Sequence, residues 1–266
     1  LNSTSINLPT VARAEDVPPL LTQRGVSLES RALVSEKLKE IAPCPASKVL
    51  FGSSGSEAND MQMKLSWYYN NARGKRDKKK IISRMRAYHG VTIASASLTG
   101  LPWVHNDFDL PIANVLHTSC PHYYRYGQEG ETEEQFAARM AQDLEDMILR
   151  EGPDTIAAFI GEPIQGAGGV IIPPSTYWPE IQRIVDKYGI LLISDEVICA
   201  FGRLGHWFGY EKFGYKPDLV TFAKAITSGY IPLGGVMVGN RVAKVLIEQG
   251  GEFNHGYTYS GHPVAC

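Results

Sequence analysis

The chain has 266 residues, of which 44% are hydrophobic and 20% are charged, the proportions of a globular domain with one large core or two smaller ones. Its formal net charge of −2 excludes a global field that would attract nucleic acid or an acidic membrane surface. No apolar run approaches the roughly 20 residues that span a bilayer, and the opening LNSTSINLPT lacks the basic and apolar regions of a secretory signal.

The cysteines predict the compartment. Cys44, Cys120, Cys199 and Cys266 lie far apart and form no CxxC pair. We therefore expect neither a disulfide framework nor a zinc site, and the expected compartment is the reducing cytoplasm. Because the chain begins without methionine and stops at SGHPVAC, we also expect it to be an internal segment of a longer protein.

Helices and strands are predicted to alternate along the chain. An irregular arm over residues 1–26 precedes a helix over 27–42, whose apolar residues recur at helical spacing. Further helices are predicted over 57–72, 131–150 and 175–188, and after Asn240, which we expect to be the N-cap of the last one. The predicted strands are KVLFGSS (48–54), KKIISRM (79–85), NVLHT (114–118), TIAAFIGEP (155–163), ILLISDEV (190–197), LVTFAK (219–224) and GGVMVG (234–239).

These strands are continuously apolar and separated by helices, a pattern typical of a mostly parallel sheet with helices on both faces. We therefore predict an α/β domain over 47–266, preceded by an arm and a helix over 1–46. In such sheets ligands bind beyond the carboxyl ends of the strands. The polar residues predicted to lie there are Ser53 to Ser56, Tyr88, His89, Glu162, Gln165, Asp195 and Lys224.

The loop at Ser53 to Ser56 opens a predicted helix. Free N–H groups at a helix start, together with the helix dipole, bind phosphate, and glycine allows close approach. The same Ser-Gly-Ser pattern is also that of an ordinary N-cap. It is neither a GxGxxG motif nor a Walker loop.

Lys224 directly follows an apolar strand and has no acidic residue within five positions on either side. A buried lysine without an anionic partner has a depressed pKa, because desolvation disfavours the charged form, and its neutral amine attacks carbonyl groups. Pyridoxal phosphate is the phosphate-bearing carbonyl cofactor that forms a Schiff base with lysine, and Asp195 is the candidate partner of its pyridine nitrogen. Individually, Lys224 also fits a side chain that extends to the surface, and Asp195 fits a turn cap.

Six ordered blocks carry a family resemblance. They are FGSSGSEAND, RAYHGVTIASASLTGLP, AAFIGEPIQGAGGVIIPP, DEVICAFGRLGHWFGYEKFG, PDLVTFAKAITSGYIPLGGV and NHGYTYSGHPVAC. Over residues 47–266 the chain resembles the class III aminotransferases, which are pyridoxal-phosphate-dependent enzymes of subgroup II and fold type I. It is most similar to omega- or amine:pyruvate transaminases and putrescine–pyruvate transaminases.

The resemblance implies that Lys224 forms the Schiff base and moves the proton between the substrate Cα and the cofactor C4′. It implies that Asp195 pairs with the pyridinium and that Val197 packs beneath the ring. The other implied cofactor-binding residues are Ser54, Gly55 and Ser56 around the phosphate, Tyr88 and His89 at the other ring face, Glu162, Gln165 near the phenolic oxygen, and Thr258 at the phosphate in the partner subunit.

The implied reaction is a ping-pong transfer from a primary amine to a keto acid such as pyruvate, through a Lys224 Schiff base and pyridoxamine phosphate. The implied assembly is a homodimer with shared active sites. Residues 47–266 then form the cofactor-binding large domain, truncated at its C-terminal end, without the family's small C-terminal domain. Alternatives are another class III enzyme (an ornithine- or GABA-type aminotransferase, an aminomutase or a decarboxylase) or a non-catalytic cofactor-binding fragment.

The chain departs from the family pattern at two places. It has Gly202-Arg203-Leu204 where the family usually reads Gly-Arg-Thr, which we expect to alter local packing rather than chemistry. Ala167 stands where ornithine-type relatives tend to carry a gating glutamate. An alanine leaves space and no charge, which favours amines over strictly dicarboxylate substrates.

Overall fold

The computed structural model describes residues 29–42 and 45–266. The predicted arm over 1–26 and Cys44 lie outside these ranges. The helices of the described part are α1 (Glu29–Ile41), α2 (Gly55–Ala72), α3 (Ile93–Leu98), α4 (Tyr123–Tyr126), α5 (Glu133–Glu151), α6 (Tyr177–Lys187), α7 (Gly209–Phe213) and α8 (Asn240–Gln249). The strands are β1 (Ala46–Gly52), β2 (Lys80–Arg84), β3 (Val115–Thr118), β4 (Ile156–Gly161), β5 (Leu191–Asp195), β6 (Leu219–Phe222) and β7 (Gly234–Gly239).

The long predicted helices and all predicted strands are present, with ends that differ by a few residues. The short helices α3, α4 and α7 were not predicted, because four to six residues are too few to show helical periodicity. The predicted cap at Asn240 is wrong. Gly239 is the N-cap of α8, and the side-chain oxygen of Asn240 instead accepts a hydrogen bond from the Ser47 hydroxyl.

The seven strands form one sheet in the order β1-β7-β6-β5-β4-β2-β3. Only β7 runs against its neighbours, pairing antiparallel with both β1 and β6, while β2, β3, β4, β5 and β6 pair in parallel. The predicted α/β fold with a mostly parallel sheet is therefore confirmed, as a mixed sheet with one reversed strand.

Helices cover both faces of the sheet, because successive strand residues point to opposite sides. Ile82 and Leu192 pack in a core cluster that contains Phe136 of α5 and Trp178 of α6. Their chain neighbours, Ile81 and Leu191, belong to a second cluster. That cluster contains residues of α2 and α8, among them Met61, Leu65, Val242 and Leu246. Continuously apolar strands follow from this burial on both faces.

The strand directions determine where the connecting loops lie. Because β1 and β6 are both antiparallel to β7, β1 points in the same direction as the parallel strands. The loops after β1, β2, β4, β5 and β6 therefore begin at the same edge of the sheet. Asp195, the last residue of β5, stands opposite Thr221 of β6 at this edge.

Glu196 follows directly and is fully buried. Its carboxylate accepts hydrogen bonds from the backbone N–H groups of Gly209 and Tyr210, both at 2.8 Å, and from the Ser194 hydroxyl at 3.1 Å. Burial outweighs these hydrogen bonds and raises the pKa of Glu196 to about 7. Glu196 thus anchors α7 to the end of β5.

One prediction concerns the tight antiparallel pairing of β1 with β7. A Cβ atom on Gly235 would lie 2.3 Å from the carbonyl oxygen of Leu50 in β1. Gly235→Ala should therefore lower the free energy of unfolding by about 1–3 kcal/mol, the usual cost of overpacking. Gly251→Ala is the control, since its Cβ would meet no atom nearer than the Tyr68 hydroxyl at 3.7 Å. Equal urea-unfolding free energies for the two variants would contradict the observed strand pairing.

A second prediction concerns pH. The folded-state pKa of Glu196, about 7, lies above the ordinary value of 4.5, so its contribution to stability is complete below about pH 4.5 and is lost as the pH rises through about 7. Glu196→Gln carries no such proton. The stability of the wild type relative to this variant should fall by about 3 kcal/mol between about pH 4.5 and about pH 8. Urea unfolding at both pH values measures the difference, and a constant difference would refute the burial argument.

Candidate functional site

A cavity of about 390 Å³ opens at the sheet edge where these loops begin. Nine of the eleven residues that the family resemblance implies line it, namely Ser54, Gly55, Ser56, Tyr88, His89, Glu162, Asp195, Val197 and Lys224, and Ser53 lines it as well. They come from five different loops, as expected from the strand directions. Gln165 and Thr258 are not among the lining residues.

The N-terminus of α2 forms one wall. Ser54 is the N-cap and accepts a hydrogen bond from the N–H of Glu57 at 3.2 Å. The N–H groups of Gly55 and Ser56, in the first turn, have no hydrogen-bond acceptor among the described residues. The N-cap interpretation is therefore right, and it leaves two N–H groups free to bind an anion at the positive end of an 18-residue helix.

The loop after β2 packs against this first turn. Gly90 has a φ of +123°, and a Cβ there would lie 2.3 Å from the Ser56 hydroxyl oxygen. The next residue, Val91, donates its N–H to the same oxygen at 3.2 Å. Glycine is thus required at position 90 for both its backbone conformation and the close approach.

Asp195 is buried, with 3% exposure, and N–H donors surround its carboxylate. Its Oδ2 atom lies 2.7 Å from Nδ1 of His89 and accepts a hydrogen bond from Nδ2 of Asn59 at 2.8 Å. Its Oδ1 atom accepts a hydrogen bond from the N–H of Val197 at 3.1 Å. Asp195 therefore caps a turn and also lines the cavity, so the two interpretations drawn from the sequence are compatible.

Lys224 lines the cavity but is exposed, so the prediction that it is buried is wrong. Strand β6 ends at Phe222, and the backbone then turns into a 3₁₀ helix that begins at Lys224 itself, with a φ of +48°. This left-handed conformation costs about 1–2 kcal/mol in a residue other than glycine. Its side chain has no hydrogen-bond or ion-pair partner in the described ranges, so its amine is available to a ligand.

Glu162 is buried and joins two loops. Its carboxylate accepts hydrogen bonds from the N–H of Tyr88 at 3.0 Å and of Gly166 at 2.9 Å. Burial raises the pKa of Glu162. Behind it, the buried Arg84 donates to the Glu162 carbonyl oxygen at 2.5 Å. Glu162 thus holds Tyr88 at the cavity wall.

The structure does not bring Gln165 or Thr258 into the cavity. The amide of Gln165 is fully buried, donates to the carbonyl of Met85 at 3.0 Å and accepts from the thiol of Cys120 at 3.6 Å. Thr258 is exposed. The cofactor contacts assigned to these two residues stay predictions.

A second cavity of about 700 Å³ adjoins the first and shares Val197, Ile198, Lys224 and Gly229 with it. Arg203 and Leu204 of the unusual Gly-Arg-Leu segment line this second cavity. So do Gly166, which directly precedes the exposed Ala167, and Val170, three residues after it. Both departures from the family pattern therefore lie on or beside its wall.

Sequence reasoning missed Asn59, Arg84 and Ile198. Asn59 lines the first cavity, four residues after Gly55 and thus on the same face of α2. That helical spacing was the signal that would have identified it. Arg84 and Ile198 gave no comparable signal, since a strand arginine and an isoleucine are ordinary residues of such segments.

The lining fits pyridoxal phosphate on three independent points. The free N–H groups of Gly55 and Ser56 suit the phosphate, the buried carboxylate of Asp195 suits a protonated ring nitrogen, and Lys224 presents an amine without a partner. These three groups converge on one cavity.

Comparison with known proteins agrees with this lining. Residues 11–266 match the family model described as aminotransferase class-III. The chain is 60% identical over 237 residues to gamma aminobutyrate transaminase 1, mitochondrial, of Solanum lycopersicum, covering 88% of this chain and 46% of that protein. It is 56% identical over 237 residues to vanillin aminotransferase of Capsicum chinense, covering 88% of this chain and 52% of that protein.

A solved structure shows the same fold. The omega transaminase from Pseudomonas jessenii in complex with PMP superimposes with a TM-score of 0.88 and 54% identity, covering 90% of this chain and 53% of that one. The chain thus spans about half the length of the relatives it matches. The family model, the identities and the fold agree, and this chain belongs to the class III aminotransferases.

Proposed function

We propose that the protein containing this chain is an aminotransferase that moves the amino group of a primary amine to a keto acid such as pyruvate. Members of its family use pyridoxal phosphate. The observation that carries the proposal is the convergence of Lys224, Asp195 and the first turn of α2 on one cavity. The presence of all three groups argues against a non-catalytic fragment.

Each of these groups has a distinct role. Bound pyridoxal phosphate supplies an aldehyde carbon that amines attack and a ring that withdraws electrons. The N–H groups of Gly55 and Ser56 hold the phosphate, and Asp195 holds a proton on the ring nitrogen. The amine of Lys224, which has no competing partner in the described part of the chain, takes the proton from Cα of the substrate.

The first test is the identity of the reactive lysine. Borohydride reduction of the full-length protein with its cofactor, followed by peptide mapping, should place the label on the peptide that contains TFAKAITSG. Lys224→Arg should remove the label, because a guanidinium does not form the adduct. Lys64→Arg is a matched control, since Lys64 is exposed and contacts His255 on a different segment. A label on any other lysine would exclude the assignment of Lys224.

We further propose that the donor is a primary amine without an α-carboxylate. The support is Ala167, small and neutral, beside the wall of the second cavity. Gamma-aminobutyrate, the donor named in several relatives, is itself an amine of this class. The name vanillin aminotransferase, which other relatives carry, supports an amine with an aromatic group as the donor. The proposed donor class includes both gamma-aminobutyrate and aromatic amines.

The second test concerns this donor class. The wild type should turn over benzylamine and gamma-aminobutyrate with pyruvate as acceptor. Ala167→Glu should lower kcat/KM for benzylamine by about 10-fold or more, because it adds bulk and a negative charge beside the wall of the second cavity, where Arg203 and Lys224 would attract the new carboxylate. Ala113→Glu, at another exposed alanine, should leave kcat/KM unchanged. Activity confined to α-amino dicarboxylates, or decarboxylation as the main reaction, would contradict the proposal.

We also propose that the working unit is a homodimer with shared active sites. A groove of about 460 Å³ contains exposed apolar side chains, among them Val91, Ile93, Trp103 and Phe108. Val91 directly follows Gly90 of the first cavity. Exposed apolar patches of this kind mark protein interfaces, and a second copy placed here by two-fold symmetry would lie beside the cofactor cavity. Thr258 is exposed and accessible to such a copy.

The third test mixes Lys224→Ala with Thr258→Ala subunits and measures cofactor affinity in the heterodimer. The site that retains Lys224 receives an intact Thr258 from its partner, so it should bind as the wild type does. The Thr258→Ala homodimer supplies the weakened reference value. If the Lys224-containing site shows that weakened affinity, Thr258 acts within its own chain and the shared-site proposal is wrong.

The compartment is also a proposal. Cys120, Cys199 and Cys266 are free thiols, which supports a reducing compartment, and we propose the cytoplasm. Two relatives are named as mitochondrial and chloroplastic proteins. Among the described helices, none combines the length and apolar character needed to cross a membrane.

A further inference from the structure

Asn59 uses the whole hydrogen-bonding capacity of its side chain within the protein. Its Nδ2 donates to the carbonyl of His89 at 2.7 Å and to Oδ2 of Asp195 at 2.8 Å. Its Oδ1 accepts from Nε2 of Gln62 at 3.0 Å and from the hydroxyl of Thr221 at 2.9 Å. Asn59 is 1% exposed, so water does not replace these partners.

The chemistry of the partners fixes the orientation of this amide. A backbone carbonyl and a carboxylate only accept hydrogen bonds, so the –NH₂ group of Asn59 must face His89 and Asp195. The Thr221 hydroxyl holds the opposite end. The amide is therefore clamped between α2 and the end of β6, and it presents a rigid donor to Asp195.

These contacts link the three groups that the proposed function requires. Asn59 lies one turn after the free N–H groups of α2, its partner Thr221 lies three residues before Lys224, and Asp195 pairs with Thr221 in the sheet register. A shift of Asn59 would therefore move the carboxylate relative to both the phosphate site and the reactive lysine.

We infer that Asn59 is a positioning residue, whose hydrogen bond to Oδ2 holds the Asp195 carboxylate in place for the ring nitrogen of the cofactor, while its other three hydrogen bonds fix the amide itself. This inference rests on the proposed function. Asn59 contributes nothing specific when the ring lacks that nitrogen, because the carboxylate then has no charged partner. A purely structural asparagine would matter equally for either ring.

The experiment uses the full-length protein and two probes, pyridoxal 5′-phosphate and its 1-deaza analogue, which has carbon in place of the ring nitrogen. Dissociation constants are measured by spectroscopic titration, which needs no turnover. Asn59→Ser should raise the dissociation constant of pyridoxal phosphate by about 10-fold or more, because a hydrogen bond to a charged group is lost. The same substitution should raise the dissociation constant of the deaza analogue by less than about twofold.

Two further variants make the test sharper. Asn70→Ser is the matched control, because Asn70 is a buried asparagine on the same helix that donates to the carbonyl of Ser66 at 2.9 Å, and it should change neither dissociation constant. Thr221→Val removes one hydroxyl at nearly constant volume, so it still reports if Asn59→Ser does not fold. Thr221→Val should raise the dissociation constant of pyridoxal phosphate by about threefold and leave that of the analogue unchanged.

A double-mutant cycle tests whether Asn59 affects cofactor binding through Asp195. Asp195→Asn should remove the preference for pyridoxal phosphate, and adding Asn59→Ser to it should produce no further loss. Equal weakening of both probes by Asn59→Ser and by Thr221→Val would overturn the inference, as would no weakening by either. Failure of the proposed cofactor site would look different, since the wild type would then bind neither probe, and failure of the proposed transamination alone would appear in the turnover test and leave these dissociation constants unaffected.

Discussion

The arrangement of this site depends on the hydrogen bonds that the buried carboxylate of Asp195 accepts. A carboxylate removed from water is costly unless hydrogen bonds and an opposite charge compensate for it. The donors come from separate segments, with Asn59 from α2, His89 from the loop after β2, and Val197 from the turn after β5. Each segment is held in place by the same anion, so the cavity walls are interdependent rather than independent loops.

The sheet explains how residues so distant in the sequence reach one cavity. Parallel strands place their carboxyl ends at one edge, and each end contributes one part of the cavity lining, from the loop at Ser54 to the amine of Lys224. The reversed strand β7 lies between β1 and β6 and brings them together. Its glycines allow this, because a Cβ on Gly234 or Gly235 would meet backbone atoms of the adjoining segments.

Much of this arrangement follows from the sequence. Apolar strands between periodic helices predict the sheet, and polar residues after each strand predict the edge of the cavity. The sequence left both a buried and a surface-directed Lys224 open, and the left-handed backbone conformation at this residue was not predictable, because residues other than glycine ordinarily avoid it. Asn59 was missed because a buried helix asparagine reveals its role only through partners on other strands. The positions of Gln165 and Thr258 depend on side-chain packing, which a single sequence does not specify.

The carboxylate of Glu57 adds a property to the anion site. It accepts the N–H of Ser53 at 2.6 Å, so one donor of the loop before α2 is already occupied by an acidic group. A free anion at the first turn of α2 would find two N–H groups and a neighbouring negative charge, and would be held weakly. A molecule that is also anchored at Lys224 and Asp195 tolerates this repulsion, because binding at one point raises the effective concentration at the others. By this reasoning, a phosphorylated molecule with all three anchors would be held more firmly than a free phosphate ion.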